Sequence, residues 1–244
     1  MGRYLDHLFR KAGHAYSTGR WIVKSFAGSD EEEIAAEYML GRSLAGELLK
    51  NIEREEDDAA GELVNRIGRD LCARLTNKKR RFTFIPVKSG EVNAFALPGG
   101  FVFVTTSLLS FCESDADELA FVLGHEMGHI VRGHAFDRMI SNSALKIISN
   151  FHPATGFAGA LSQKAISGLL TSQYSQDQEL EADAFGVGIM NAAGYDMSGA
   201  AALMKKLATR LGQPDGGLLK KYYSSHPEAA IRLKHIREEQ KRRS

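Results

Sequence analysis

LGHEMGHIVRGH, residues 123–134, places three histidines and one glutamate within twelve residues. An α-helix turns about 100° per residue, so His125 and His129 lie about 40° apart on one face. Glu126 stands at the edge of that face, about 60° from His129. This is the HExxH pattern, two imidazole ligands with a carboxylate beside the metal. On a continuous helix His134 lies about 140° round from His129, and it reads as a surface or capping histidine near the helix end. The metzincin pattern requires Gly and His seven and ten residues after the first His. Arg132 and Ala135 hold those positions, which excludes that class. HExxH alone also arises by chance on amphipathic helices, so the reading stands or falls with a third ligand.

Outward from this helix, the chain of 244 residues is 43% hydrophobic and 25% charged, with net charge +1. The length accommodates one large domain or two small ones. The charge balance gives no reason to expect nucleic acid as a partner. Cys72 and Cys112 are too few for a disulfide framework and read as small buried residues. The longest apolar-leaning stretch, 144–173, is broken by Lys146, Asn150, His152, Pro153, Gln163 and Lys164, so no transmembrane span is expected. The N-terminal MGRYLDHLFRKAGHAY carries charges throughout and does not read as a signal peptide.

On the N-terminal side, residues 1–29 form a basic lead segment. Ser29 or Asp30 is a candidate N-cap for a first helix, with acidic residues in its opening turn. Leu63, Val64, Ile67, Leu71 and Leu75 predict a second helix over about 60–76. RFTFIPVK (81–88), EVNAFAL (91–97) and FVFVTT (101–106) predict three short strands. Leu97-Pro98-Gly99-Gly100 suits a type II turn, which makes 91–106 a hairpin. Ser114 is then a candidate N-cap for a long helix over 115–139. Further helices are expected over 174–193, 199–211 and from 227, with a helical hairpin over 140–173. The predicted fold is α+β, mostly helical, with a small antiparallel sheet of three to four strands beside the HExxH helix. Residues 30–244 are expected to form a single domain.

An open zinc site needs three protein ligands, and SQDQELEADAFG (175–186) offers the third. Glu179 and Asp183 are four apart and share a helix face, whereas Glu181 points away. Glu179 is the candidate metal ligand. Asp183 is the candidate acceptor for the outward N–H of His125. Ala182, Ala184 and Gly186 would let this helix approach the HExxH helix closely.

Four pieces in order, VNAFALPGG (92–100), HEMGH (125–129), ELEAD (179–183) and SHPEAAIR (225–232), resemble the HtpX-like and CAAX-prenyl-protease-like zinc metallopeptidases, peptidase family M48. The resemblance is to the soluble BepA-like branch and covers about residues 30–240. It implies a gluzincin-type metallopeptidase with one zinc per chain, bound by His125, His129 and Glu179. Glu126 would be catalytic, Asp183 would support a ligand, and His226 and Arg232 would lie near the site. His226 is the candidate donor to the oxyanion. As a fourth zinc ligand it would instead lock the enzyme. Asn93, Ala94 and Phe95, on the natural edge strand, are the candidate substrate strand. Phe95 also reads as a core residue.

The expected function is a zinc-dependent endopeptidase of unfolded or misassembled proteins. The alternative is a latent enzyme or chaperone-like binder of unfolded chains. Relatives in the bacterial cell envelope suggest that compartment, and a membrane-surface association and the oligomeric state stay open. Some relatives carry a C-terminal helical-repeat module, which is not expected in a chain ending at Ser244.

Overall fold

The structure is a computed structural model that describes residues 30–141, 172–210, 219, 222, 225, 226 and 229–243. The lead segment 1–29, including the candidate cap Ser29, and almost all of the helical hairpin expected over 140–173 lie outside the described residues, whereas Asp30 is already helical.

Two helices open the described chain, α1 (Asp30–Leu48) and α2 (Asp58–Cys72). Asp57 caps α2 by accepting from Ala59 N, as a short acidic side chain does at a helix start. The strands follow: β1 (Thr83–Val87), β2 (Ala94–Leu97) and β3 (Phe101–Thr105). Next come α3 (Thr106–Phe111), α4 (Ala116–Val131) and α5 (His134–Ser141). The remaining helices are α6 (Gln176–Ala192), α7 (Ser198–Arg210) and α8 (Ala229–Arg243). None of the described helices is long and apolar enough to cross a membrane.

The fold is α+β as expected, but the sheet is mixed rather than antiparallel. Its order is β1-β3-β2, with β1 parallel and β2 antiparallel to β3. The hairpin forms where the turn chemistry demands it: Gly99 and Gly100 have φ of 79° and 98°. The β1–β2 link instead carries the chain past the end of β3, held there by Ser89 O accepting from Thr106 Oγ1 (3.2 Å) and Ser107 Oγ (2.6 Å). That route puts β3 in the centre, and its five residues are all buried. A strand covered on both faces reads as a continuous apolar run, which says nothing of strand order.

One face of the sheet packs Ile85, Val87, Phe95, Leu97, Phe101 and Phe103 against Leu44, Ala45 and Leu48 of α1. On the other face, Ala94, Ala96, Val102 and Val104 join the main core with α2 and α4. Burying the sheet between helices on both sides fixes α4 against β2.

Helix α4 starts one residue later than Ser114 implies. Asp115 caps it, accepting from Asp117 N and Glu118 N, while Ser114 sits at φ 57° in the preceding turn. The expected long helix also breaks in two. Gly133, at φ 79°, ends α4 in the left-handed conformation that glycine adopts at low cost, and α5 begins at His134.

Helix α6 starts with a reciprocal cap between Ser175 and Gln178 and packs along α4. The two helices meet through Gly124 and Gly128 on one side and Ala182 and Gly186 on the other. A Cβ on Gly128 would lie 3.1 Å from Ala182 Cα and 3.2 Å from Phe185 Cβ. Alanine there gains up to about 1 kcal/mol of helix propensity, so it is not the informative change. Gly128→Leu is expected to cost about 1–3 kcal/mol by overpacking, seen as a lower urea midpoint. An unchanged midpoint would show that the helices have room to separate.

Candidate metal centre

Helix α4 carries His125, Glu126 and His129 on its buried face, and α6 brings Glu179 and Asp183 opposite. His226 comes from the segment before α8, and Arg232 from α8 itself. All seven are buried. His125 Nε2 and His129 Nε2 lie 3.1 Å apart. Glu179 Oε1 is 3.3 Å from His129 Nε2, and Oε2 is 3.7 Å from His125 Nε2. His226 Nδ1 is 2.9 Å from Glu179 Oε1 and 3.3 Å from His125 Nε2. His125, His129, Glu179 and His226 thus form one buried group whose potential ligand atoms all fall within 4.8 Å of one another.

This donor set fits a cation. His125 Nδ1 faces Asp183 Oδ1 at 2.9 Å, and a proton donated there leaves the Nε2 lone pair bare. That lone pair points at a second imidazole nitrogen and a carboxylate. A cation among these donors would satisfy all of them at once. Zinc bonds of about 2.0–2.1 Å set tetrahedral donors about 3.3 Å apart, close to the separations found here.

The surrounding charges agree. Burial pushes the Glu179 carboxyl up, but His226, Arg232 and His129 hold it well below the usual carboxylate range. Burial likewise pushes Asp183 up, but the Arg232 guanidinium and His125 together bring it below its usual value. Burial pushes His129 well below the usual histidine value, which favours the neutral ring a metal requires.

Arg232 lies at the site, and its partners are the two carboxylates. Its Nε and Nη2 donate to Asp183 at 2.9 and 2.7 Å, a bidentate pair. Its Nη1 lies 2.8 Å from Glu179 Oε2 and donates to Tyr222 Oη at 3.3 Å. Glu126 stands beside the group without joining it, its Oε1 3.5 Å from His226 Nε2.

Three contacts escaped the sequence reading. Tyr174 stacks on the His129 ring, with centroids 3.6 Å apart and planes 11° from parallel. Arg138 lies over the other side of Tyr174, 4.2 Å from its centroid, and donates to Ala96 O at 3.2 Å. His134 is not a surface histidine: it is buried, its Nδ1 3.1 Å from His129 Nδ1. Gly133, immediately before it, was the available signal for the helix break. Tyr174 and Arg138 carry no local signature, because their partners are far off in sequence.

β2 is an edge strand, but Asn93, Ala94 and Phe95 are all buried. Thr105 N donates to Asn93 O at 3.0 Å, so in antiparallel alternation Asn93 and Phe95 bond toward β3. Of the three, Ala94 alone turns its main-chain groups to the outer edge. Phe95 stacks on Phe103 in the core at 4.9 Å.

The sequence pattern of peptidase family M48 matches residues 59–240. The chain belongs to peptidase family M48. It is similar to the metalloprotease YcaL of Escherichia coli K12, 32% identical over 155 residues that span 62% of this chain and 59% of that protein. It is 33% identical over 153 residues to the mitochondrial metalloendopeptidase OMA1 of Schizosaccharomyces pombe, over 62% of this chain and 44% of that protein. A putative beta-barrel assembly-enhancing protease of Vibrio cholerae is 28% identical over 188 residues, 72% of this chain and 38% of its own length. The chain therefore spans less than two thirds of each of these relatives. The M48 match contains all four members of the donor group, Glu126, Asp183 and Arg232.

Proposed function

We propose that this chain is a zinc-dependent endopeptidase acting on unfolded or misassembled polypeptides. Its metallopeptidase domain would span residues 30–244, behind the lead segment 1–29. One observation carries the reading: buried nitrogens of His125 and His129 converge with a Glu179 carboxylate while Glu126 stands beside the group, outside it. Membership of family M48 and the protease names of the relatives support it.

Held by His125, His129 and Glu179, zinc would supply a Lewis acid for the peptide carbonyl and bring the pKa of a water to about 7. The proton movements belong to the chain. The Glu126 carboxylate takes a proton from the attacking water and passes it to the leaving amine nitrogen. His226, turned away from Glu179, donates to the carbonyl oxygen as negative charge develops there. Asp183 holds the His125 tautomer, and Arg232 keeps both carboxylates ionised. An extended substrate adds along the outer edge of β2, reading its main chain at Ala94 and Ala96, and must displace Arg138 from Ala96 O.

The test is digestion of a reduced, unfolded protein by the full chain after metal removal. Cleavage is expected to vanish with a chelator and to return with one zinc per chain. Binding of the unfolded protein without any cleavage would select the chaperone-like alternative.

A latent enzyme is a second reading, favoured by the position of His226 Nδ1 inside the donor group. With four protein donors, a tetrahedral ion has no position for water. His226→Ala separates the two. Loss of an oxyanion donor is expected to lower kcat about 10²–10³-fold. A rise in activity would instead show that His226 blocks the site.

A further inference from the structure

His129 turns Nε2 toward the donor group and Nδ1 away from it. Nδ1 meets His134 Nδ1 at 3.1 Å. His134 is only 5% exposed, and its Nε2 lies 3.5 Å from an oxygen of Glu181, whose side chain is 56% exposed. Asp137 is the other acidic group acting on His134.

Hydrogen-bond bookkeeping assigns the protons along this line. A His129 that ligates through Nε2 is bare there and carries its proton on Nδ1. His134 Nδ1 is placed to accept that proton and must therefore be bare itself. The His134 proton then sits on Nε2, facing the Glu181 carboxylate. Every donor along Glu181–His134–His129 meets an acceptor in this one arrangement. Tyr174 fixes the plane of the His129 ring by stacking, but stacking leaves rotation within the plane free. A hydrogen bond at Nδ1 removes that freedom and also excludes the wrong tautomer.

We infer that His134, oriented by Glu181, is the positioning residue that fixes the ligating tautomer of His129, as Asp183 does for His125. The two supports differ in kind. Asp183 and Arg232 are wholly buried, whereas the His134 line ends at a carboxylate in solvent. The inference rests on the reading of His129 as a metal ligand.

Zinc affinity, measured by chelator competition on the full metal-free chain, tests it without relying on activity. His134→Phe keeps the ring and removes the acceptor. His134→Asn loses the ring but can place Oδ1 where Nδ1 stood. Loss of the outer partner of a ligating histidine typically weakens metal binding about 10–100-fold, and that is expected for Phe, with Asn recovering most of it. A packing role predicts the opposite order, so Phe at wild-type affinity, or Asn weaker than Phe, would overturn the inference. Glu181→Ala, a surface change that does not threaten folding, is expected to weaken zinc about threefold or more. That loss should disappear in the His134→Phe background. A wild-type chain that fails to bind zinc would instead refute the metal centre itself.

Discussion

Glu126→Gln is expected to abolish peptide-bond cleavage while leaving zinc bound. Glutamine matches glutamate in shape but cannot accept the proton of an attacking water. General acid–base groups typically contribute about 10²–10⁴-fold, so kcat/KM should fall by about 10³. That corresponds to about 4 kcal/mol of barrier. Glu126 is not among the donor atoms, so the zinc dissociation constant should hold. The comparison is one assay, with wild type and variant at equal zinc loading on the same unfolded substrate. Residual activity above a tenth of wild type would remove Glu126 from the reaction. Weakened zinc binding would place it among the ligands instead.

Arg232→Met should produce the largest loss of stability. The guanidinium faces Asp183 at 2.7 and 2.9 Å and Glu179 at 2.8 Å, all buried. Removing it strands two carboxylates that water cannot reach. Breaking a buried ion pair costs about 3–5 kcal/mol. For a chain of this size that is a Tm lower by on the order of 10 °C. Thermal unfolding of the metal-free protein is the measurement, and zinc should return part of the loss by giving Glu179 a new positive partner.

The pH dependence has a definite sign. Both carboxyls titrate below their usual range when folded, so the unfolded chain binds more protons in acid. The stabilisation from Arg232 is therefore complete above the ordinary carboxylate range of about 4, and it is lost as pH falls through the lower folded values. The gap between wild type and Arg232→Met should be widest near neutrality and should close in acid. A gap that persists in acid would assign the loss to packing rather than charge.

The arrangement of the donor group was legible wherever it depended on a spacing within one helix. His125 with His129, and Glu179 with Asp183, are each four apart, and 3.6 residues per turn set each pair on one face whatever surrounds it. The β2–β3 hairpin was equally local, because Pro98 fixes its own φ and Gly99 admits the positive φ that the turn requires.

What only the tertiary structure decided lies between segments distant in sequence. The order β1-β3-β2 follows from the path of the link past Ser89, since a buried β3 is apolar at four of its five positions and does not announce which strands flank it. Arg232 pairs with Asp183 and Glu179 because α8 packs on α6. His134 shows the division most plainly. A continuous helix points it about 140° from His129. The left-handed turn at Gly133 breaks that phase and brings the two rings together. Helical periodicity fixes direction only while the helix continues, and where it stops, packing decides what a side chain meets.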